Sequence, residues 1–257
     1  MDESCEVITL LARAVDRGGI REPLAQRLCR ACVEILGAEG AAISLATTRP
    51  ESLMIWATDR TSTALETLQD VIGEGPSHEA FASGHPVVVH LDASVPGTYA
   101  VFDDMADDAT GNLTIWALPM HPMGTTVGVL TLYRRSGELT RTLSAAQAIA
   151  DAVGSALLEN ARSEVPTSLA AWSDRAVVHQ AIGMVVAQLG VPTVDALALL
   201  RAHAYASATT LAAVASAVVN RHLDLAGGPD DFRRPARNPT RVQRADGDGD
   251  DAANGQR

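Results

Sequence analysis

Few residues of this 257-residue chain have the type and spacing that chemistry requires. Cys29 and Cys32 lie three positions apart in QRLCRACVEIL, so a helix would place both thiols on one side. Paired thiols can bind a metal ion, but the signal is weak when no second Cys or His pair lies nearby. We therefore interpret both as small, buried core residues. The third cysteine, Cys5, leaves an odd count without a disulfide framework, which is typical of a reducing cytosol.

Carboxylates and imidazoles give a similarly weak signal. Asp103, Asp104, Asp107 and Asp108 stand close together in the sequence, and such oxygens can bind divalent cations. Their spacing is not that of an EF-hand loop, so we interpret them as a solvated acidic surface. The seven histidines lack the tight spacing of zinc ligands. We expect no catalytic residue, no metal site and no cofactor.

The charges are distributed unevenly along the chain. All 20 basic residues are arginines, and the formal net charge is −11. Residues 1–165 carry 22 acidic and 11 basic side chains, whereas residues 166–225 carry three of each and residues 226–257 carry six of each. Because a negative surface repels polyanions, any contact with nucleic acid must come from the chain after residue 165.

The first 162 residues have the pattern of an α+β domain, in which an antiparallel sheet is flanked by helices. Apolar runs predict the strands, and a 3.6-residue periodicity predicts helices on both sides of them. We expect strands at 41–47, 53–58, 86–91, 113–120 and 125–134, and helices at 4–17, 21–36, 63–84 and 144–162. The sequence HPMG between the last two strands predicts a hairpin turn in which Gly124 takes a positive φ.

Local features of this domain are predicted from residue types. Residues 92–112 have the composition of a long acidic loop, and loops of that length in a compact domain are often lids or binding loops. Ser144 is placed as the N-cap of the last helix, with Gln147 completing a capping box. Trp56 and Trp116 lie in predicted strands, and we interpret both as core residues rather than pocket lining.

The remaining chain divides into three parts. A linker is expected at 163–173, and a disordered tail at 226–257, which is rich in Gly, Pro, Asp and Arg. Between them, residues 174–225 predict a small all-α bundle of three helices. These helices are expected at 174–189, 193–206 and 210–223, with N-caps at Asp174, Thr193 and Thr209.

No segment of the sequence predicts membrane insertion or export. The longest uncharged apolar run near the end, LAAVASAVV, is shorter than the ~18 residues that a membrane span needs. The first residues lack the basic region and apolar core of a signal peptide. We expect a cytoplasmic protein without membrane contact.

Two stretches of the first domain carry a family resemblance. GEGPSHEAFASGHPVVV resembles the central motif of GAF domains, and IWALPMHPMGTTVGVLTLYRRSGELTRTLSAAQAIADAVGSALL resembles the closing hairpin and helix of that fold. GAF domains are sensors of small molecules and other signals, with a pocket closed by helices and loops. The resemblance implies a GAF sensor over residues 1–162, with an unknown small-molecule ligand and the 92–112 segment as part of the pocket cover.

The C-terminal helices resemble the ANTAR domain, a three-helix RNA-binding module of bacterial antitermination regulators. The matching segments are QAIGMVVAQLGV, VDALALLRAHA and LAAVASAVV, and the spacing of all three helices is kept. A GAF domain followed by an ANTAR domain is a familiar order in bacterial regulators, here of the actinobacterial type. The resemblance implies a homodimer that binds paired stem–loops in nascent transcripts and prevents a terminator hairpin from forming.

Folded RNA is recognised through loop bases and shape as well as phosphates, so a bundle of modest charge can present its surface to RNA. The residues expected to contact RNA are Arg175, Gln180, Gly183, Arg201, His203, Tyr205 and Arg221. Tyr205 could stack on an unpaired base. Gly183 has no side chain and would allow close approach; because a mid-helix Gly costs about 1 kcal/mol against Ala, its presence indicates a packing or contact reason. The small number of basic residues predicts weak binding with a shallow salt dependence.

Departures from the ANTAR pattern leave other functions open. Many ANTAR domains have a lysine where this chain has Ile182, and a basic residue where it has Thr209 and Thr210. A second hypothesis is therefore a GAF sensor or scaffold whose degenerate ANTAR domain acts through protein partners. A third is an enzyme, because some GAF-fold proteins reduce methionine sulfoxide with pocket cysteines. Ser77 stands in the motif here and no cysteine lies in that region, so we expect no enzymatic activity.

Overall fold

The computed structural model describes residues 3–17, 19, 22–48, 51–92, 97–163 and 169–225. Within these residues, five antiparallel strands form one sheet in the order β2-β1-β5-β4-β3. Their bounds are β1 Gly40–Thr48, β2 Glu51–Ala57, β3 Val87–Leu91, β4 Leu113–Met120 and β5 Gly128–Arg134. The five predicted strands are confirmed, and together with the flanking helices they give the α+β domain expected from the sequence. The expected disordered tail at 226–257 lies outside the described residues, as do residues 164–168 of the expected linker.

The hairpin between β4 and β5 is longer than a two-residue turn, because residues 121–127 connect Met120 to its partner Gly128. Residues Pro122–Gly124 form a 3-10 turn in which Met123 has φ 59° and Gly124 has φ 81°. The positive φ predicted for Gly124 is confirmed. β5 starts three residues later than predicted, at Gly128, where a Cβ would lie 2.2 Å from the Ser44 carbonyl oxygen of neighbouring β1. Glycine is therefore required there by the close approach of two strands.

One face of the sheet is covered by α1 (Glu3–Arg17), α2 (Leu24–Leu36) and α6 (Leu143–Ser163). Cys29 and Cys32 are both 0 % exposed in this core, as the helical spacing predicted. Burial raises the pKa of Cys32 to about 12 and raises that of Cys29 as well, so neither thiol is available as a thiolate. Trp116 is buried in the same core and Trp56 packs against it, which favours the core interpretation of both.

The other face is covered by α3 (Arg60–Ile72), α4 (Pro76–Ser83) and α5 (Ala100–Thr110). The prediction of a loop throughout 92–112 is wrong, because α5 occupies eleven of those residues. Phe102 and Ala106, one turn apart, are both 0 % exposed and anchor this helix on the sheet, outweighing its acidic outer residues. The stretch 63–84, predicted as a helix with a Gly-rich exit, contains two helices, because Gly73 and Gly75 take positive φ values of 83° and 134° between α3 and α4.

The start of α6 differs from the predicted cap. The helix begins at Leu143, and Thr142 Oγ1 accepts a hydrogen bond from the Ala145 N–H at 3.3 Å. Ser144 therefore lies inside the first turn and is not the N-cap. Gln147 does not complete a capping box, because its Nε2 donates to the Pro119 carbonyl at 2.6 Å and ties the helix to β4.

The C-terminal bundle consists of α7 (Leu169–Leu189), α8 (Thr193–Ala206) and α9 (Leu211–Val219). Its core contains Ala181, Ile182, Val185, Ala196, Leu197, Leu200, Ala204, Val214, Ala215 and Val218. Among the described residues no single helix is long and apolar enough to cross a membrane. Two consecutive helical segments, Ala176–Leu189 and Thr193–Ala206, reach the length and apolar composition of a membrane span only when they are combined, and a bend of 108° separates them.

The predicted caps of the bundle need correction. α7 begins at Leu169, so Asp174 lies inside the helix, and Pro192 rather than Thr193 precedes α8. Thr210 Oγ1 accepts from the Ala213 N–H at 3.1 Å and caps α9. Thr209 cannot fill this role, since its N–H donates to the Ala204 carbonyl at 2.9 Å and closes the end of α8. α9 also ends at Val219, four residues before the predicted end.

We expect Thr210→Ala to destabilise the bundle by about 1 kcal/mol, because the substitution removes the side-chain acceptor at the start of α9. Thr209→Ala, at the position predicted from the sequence, keeps that acceptor and should have a much smaller effect. Urea unfolding of both variants, followed by circular dichroism, measures the difference. Equal losses of stability in the two variants would contradict the observed cap.

Candidate nucleic-acid interface

The exposed side of α7 presents small and polar residues at helical spacing. Ala176, His179, Gln180, Gly183 and Ala187 are all exposed, and we call them the open face of α7. The opposite side of the helix packs in the bundle core. A Cβ built on Gly183 meets no atom within 4 Å, so nothing inside the described fold requires glycine there. The glycine, which costs the helix about 1 kcal/mol, therefore leaves room for a contact from outside.

The positions that depart from the ANTAR pattern have structural roles in this chain. Ile182 is 3 % exposed in the bundle core, so a lysine there would have to bury its stem and turn away from the open face of α7. The missing lysine therefore does not remove a charge from that face. Thr210 is exposed but caps α9, so a basic residue there would remove the cap.

One side of α8 borders the sensor domain, although Val194, Ala198 and Tyr205 on that side remain exposed. Val194, Ala198, Arg201 and Tyr205 follow one another at spacings of four, three and four, and all of them line a notch against the end of α3. We call this row the seam face of α8. At its centre, Arg201 Nε donates to the Asp70 carbonyl oxygen of α3 at 2.9 Å. A predicted RNA contact is thus engaged within the protein.

We call the contact between α3 and α8 the seam, and on the α3 side one apolar residue and one glycine pack against α8. Val71 of α3 is 7 % exposed and belongs to the core cluster of the bundle, although it lies in the sensor domain. Gly73 follows α3 with φ 83°, and a Cβ on it would lie 2.7 Å from Arg201 Nη1. The guanidinium group therefore occupies space that any other residue at position 73 would take.

Burial perturbs two titratable groups beside Arg201. Desolvation, followed by the nearby Glu66 carboxylate, raises the pKa of Asp70 to about 8, and Arg201 opposes this shift. Desolvation, followed by the charge of Arg201, lowers the pKa of His78 to about 4, while His78 Nε2 donates to the Gln69 carbonyl at 3.1 Å. Near neutral pH this histidine is therefore uncharged, and Arg201 remains as a cation in the seam.

A buried polar network fills the sensor domain beneath α3. The Glu66 carboxylate accepts hydrogen bonds from Ser44 Oγ at 2.6 Å and Ser77 Oγ at 2.9 Å. Gln69 Nε2 donates to Ser77 Oγ at 3.0 Å, and Ser77 Oγ lies 2.9 Å from Thr131 Oγ1. Ser77, which stands in the predicted GAF motif, thus joins α4 to α3 and β5. Its hydroxyl is engaged in packing polar groups and faces no open space.

The other predicted RNA contacts are distributed over the bundle. Tyr205 is 53 % exposed at the edge of the seam, and Arg221 is exposed just after α9 with φ 57°. His203 is partly buried, and desolvation lowers its pKa. Arg175 lies in α7, but its side chain is outside the described part of the chain. The structure therefore groups Gln180 with Gly183 and Arg201 with Tyr205, on two different sides of the bundle.

Sequence reasoning missed the sensor half of the seam. Asp70, Val71 and Gly73 lie at the end of α3, where the sequence indicates only a helix terminus. Their partners are about 130 residues away, as the separation of 131 between Asp70 and Arg201 shows. One signal was available: Val71 is an apolar residue near the end of α3, on a side of the helix that does not face the sheet.

The acidic cluster of α5 shows no cation site among the described side chains. Asp103 Oδ2 accepts a hydrogen bond from the Tyr99 N–H at 2.8 Å, so this carboxylate binds the backbone at the residue before α5. Within the residues that the structure describes, no group of three or more His, Cys, Asp or Glu side chains could hold a metal ion. The side chains of Asp107 and Asp108 lie outside that description.

Two cavities flank the seam. The first has a volume of about 480 Å³ and is lined from α3, α5 and α8, with four threonines among its walls, so we call it the threonine cavity. The second, of about 450 Å³, contains the seam face of α8 together with Ile72, Gly73 and Val101, and we call it the arginine notch. Val71 and Tyr205 line both and separate them. The contact between α3 and α8 therefore lies between two cavities, and α3 also contacts α9 while α7 contacts β2.

Comparison with known proteins gives two family matches. A GAF domain model matches residues 21–158, and an ANTAR domain model matches residues 169–219. A search among curated proteins returns no match. Ile182, Gly183 and Arg201 all fall within the ANTAR match.

Several solved structures are similar to the chain. The A. aeolicus nlh2 GAF domain in an inactive state has 15% identity and a TM-score of 0.45, covering 62% of this chain and 97% of that chain. A domain of a two-component sensor histidine kinase protein from Sinorhizobium meliloti 1021 has 16% identity and a TM-score of 0.42, covering 58% and 100%. An RNA-binding Light-Oxygen-Voltage receptor has 16% identity and a TM-score of 0.21, covering 71% and 47%.

We expect Asp70→Asn to flatten the pH dependence of stability. In the folded protein Asp70 keeps its proton up to a pKa of about 8, whereas in the unfolded chain it loses the proton near the ordinary pKa of 3.8. The unfolded state therefore binds fewer protons between these values, so the free energy of unfolding falls as pH rises through this window. The slope from one group is at most about 1.4 kcal/mol per pH unit.

Urea unfolding of wild type and Asp70→Asn at several pH values within that window measures the effect. Asp16→Asn, at an exposed position on α1, is the matched control and should follow the wild-type curve. Parallel curves for wild type and Asp70→Asn throughout the window would show that burial in the seam does not hold the proton on Asp70.

Proposed function

Because the chain belongs to the GAF domain family and carries an ANTAR domain behind its sensor fold, we propose that it is a signal-responsive regulator that promotes transcription antitermination. ANTAR domains form an RNA-binding antiterminator family, and GAF domains are sensors. In this proposal the bundle binds paired stem–loops in nascent transcripts, and a small molecule or other signal acts on the sensor half. The protein acts in the cytoplasm as a homodimer and has no enzymatic activity.

The observation that carries the RNA proposal is the open face of α7. Gly183 has solvent where a side chain would stand, and Gln180 lies one turn before it with donors and an acceptor available for a base edge or phosphate. A glycine that is unnecessary for the internal packing of the described fold supports a close approach by an external surface. Folded RNA fits such a contact because it is recognised by shape as well as by charge.

The seam supports a means of regulation. While α8 is docked on α3, Arg201 and Tyr205 face the sensor domain and are partly withheld from RNA. Separation of the domains would release both, adding a cation and a stacking platform to the binding surface. A signal can drive this change only if it binds the docked and separated states with different affinity.

A protein partner is the second candidate for the surface of the bundle. None of the five residues of the open face is Arg or Lys, so that face alone offers little attraction for phosphates. Val194 and Leu199 of α8 are 67 % and 38 % exposed, as residues at a protein interface would be. Under this hypothesis the bundle should bind another protein and show no affinity for RNA at any salt concentration.

We expect a side chain at position 183 to change RNA affinity and stability in opposite directions. Gly183→Ala should stabilise α7 by about 1 kcal/mol, because its Cβ meets nothing and alanine favours the helix. The same change should weaken binding to a tandem stem–loop RNA, and Gly183→Leu should weaken it further. Electrophoretic mobility shifts and thermal melts of the series provide the two measurements.

The control for this series is Ala12→Leu, which adds an apolar side chain to an exposed helical position of the sensor domain. It should leave RNA affinity unchanged. If wild-type protein binds no tandem stem–loop across salt concentrations, the RNA proposal is wrong. If it binds but the Gly183 series does not alter the affinity, the open face is not the contact.

We expect Gly73→Ala to increase RNA affinity by opening the seam. Its Cβ would displace the Arg201 guanidinium, whereas Gly84→Ala, at another helix C-cap with φ 69°, meets no atom closer than 3.5 Å. Both variants carry the same kind of backbone strain, so the difference between them isolates the seam. RNA affinity should be several-fold higher in Gly73→Ala, with faster hydrogen exchange in α8. Equal affinities in the two variants would contradict a docked, partly inhibited state.

A further inference from the structure

The space between α3 and the sheet is filled by the protein's own side chains. Leu65, Phe102 and Ile115 are each exposed by 1 % or less and pack together there with Tyr133. The Glu66 network closes the neighbouring region through hydroxyl and amide partners. The described side chains beneath α3 therefore pack against one another in this state. The threonine cavity lies on the outer side of the same helix and is open.

The walls of the threonine cavity are apolar with hydroxyls among them. Ala64, Leu68 and Val71 come from α3, Met105 and Ala109 from α5, and Ala204 and Tyr205 from α8. Thr63, Thr67, Thr110 and Thr209 also line it, and the hydroxyls of Thr63 and Thr110 already donate to the Asp59 and Ala106 carbonyls. Its volume of about 480 Å³ lies within the range of ~300–1,000 Å³ that small-molecule sites occupy.

Arg60 gives the cavity a charge preference. It is the only charged residue among the described residues that line it, although the sensor half of the chain is acidic overall. Its guanidinium is exposed and forms no ion pair with any described side chain. Arg60 also begins α3, where the helix dipole disfavours a cation. An anionic group beside it would give the guanidinium a charge-assisted partner and offset its unfavourable position at the helix start.

We propose that the threonine cavity binds a small amphipathic acid, with an apolar ring or chain between α3, α5 and α8 and an anionic head group at Arg60. The apolar body removes the alanine, leucine and methionine side chains from water. The head group forms a charge-assisted hydrogen bond with the guanidinium. The walls come from both domains, so the complete site exists only while the bundle is docked.

This site gives the proposed function a definite signal. A ligand that requires both α3 and α8 stabilises the docked state, in which Arg201 is engaged with Asp70. The acid is therefore a co-inhibitor of RNA binding, and its removal favours release of the bundle. This regulatory consequence rests on the proposed function, whereas binding of the acid does not.

The probe for the site is 8-anilinonaphthalene-1-sulfonate, which combines an apolar aromatic body with one anionic group and fluoresces when it leaves water. Its uncharged counterpart, N-phenyl-1-naphthylamine, tests the contribution of the anion. We expect the full-length protein to bind the sulfonate at one saturable site and to bind the neutral compound about tenfold more weakly. Arg60→Gln should weaken the sulfonate by about the same factor and leave the neutral compound unchanged.

Two variants test where the probe binds. Ala109→Trp on α5 and Thr63→Trp on α3 each place an indole in the cavity from an exposed position, and either should abolish saturable binding. Ala12→Trp, at an exposed position on α1, is the matched control and should bind like wild type. Far-ultraviolet circular dichroism and the thermal unfolding midpoint check that each variant is folded. Binding that survives both cavity variants overturns the site, and equal affinity for both probes overturns the acidic class of ligand.

Reciprocal binding tests the regulatory consequence separately. The sulfonate should weaken binding of a tandem stem–loop RNA, and saturating RNA should weaken the sulfonate by the same factor. Ala109→Trp should lose the effect of the sulfonate on RNA while Ala12→Trp keeps it. Saturable probe binding together with unchanged RNA affinity would support the site and reject its regulatory role. Probe binding without any RNA binding would reject the proposed function alone.

Discussion

The packing of α3 against α8 determines how the two domains of this chain are related. α3 serves two cores at once, because Leu65 packs in the sensor domain while Val71, less than two turns later, packs in the bundle. The helix ends at Gly73, and the missing side chain there admits Arg201. A change in the position of α3 is thereby transmitted to the bundle by direct contact, without a longer pathway through the linker.

The same seam is small enough to open. A cavity lies on each side of it, and α3 against α9 and α7 against β2 supply further contacts between the domains. Arg201 donates to a backbone carbonyl, and the carboxyl group of Asp70 beside it is held toward its neutral form rather than paired as an ion. A contact of this kind contributes modestly to stability. The proposed regulation requires docked and separated states that differ by only a few kcal/mol, the range in which a ligand shifts a population.

Much of the fold was predictable from the sequence, because strand patterning and helix periodicity report which side of each element is buried. The five strands and the small bundle follow from such local patterns. Phe102 shows where this fails: its acidic neighbours predicted a loop, whereas its burial against the sheet produces a helix. The N-cap of α9 was predicted one residue early, because Thr209 and Thr210 have the same side chain and only the structure shows that Thr209 ends α8 while Thr210 begins α9. The seam could not be predicted from the sequence, because nothing in the residues around Arg201 or Asp70 indicates that these two distant residues are in contact.

The distribution of the predicted RNA contacts constrains how strong the regulation can be. Gln180 and Gly183 remain exposed while the domains are docked, so docking does not block the open face of α7. What docking withholds is Arg201 and, in part, Tyr205. Stacking of one base on an aromatic side chain contributes roughly 1–3 kcal/mol, and a charge-assisted hydrogen bond contributes a similar amount. Under the proposed function, the docked protein should therefore bind RNA with reduced affinity rather than none, and the signal should act as a graded control of transcript occupancy.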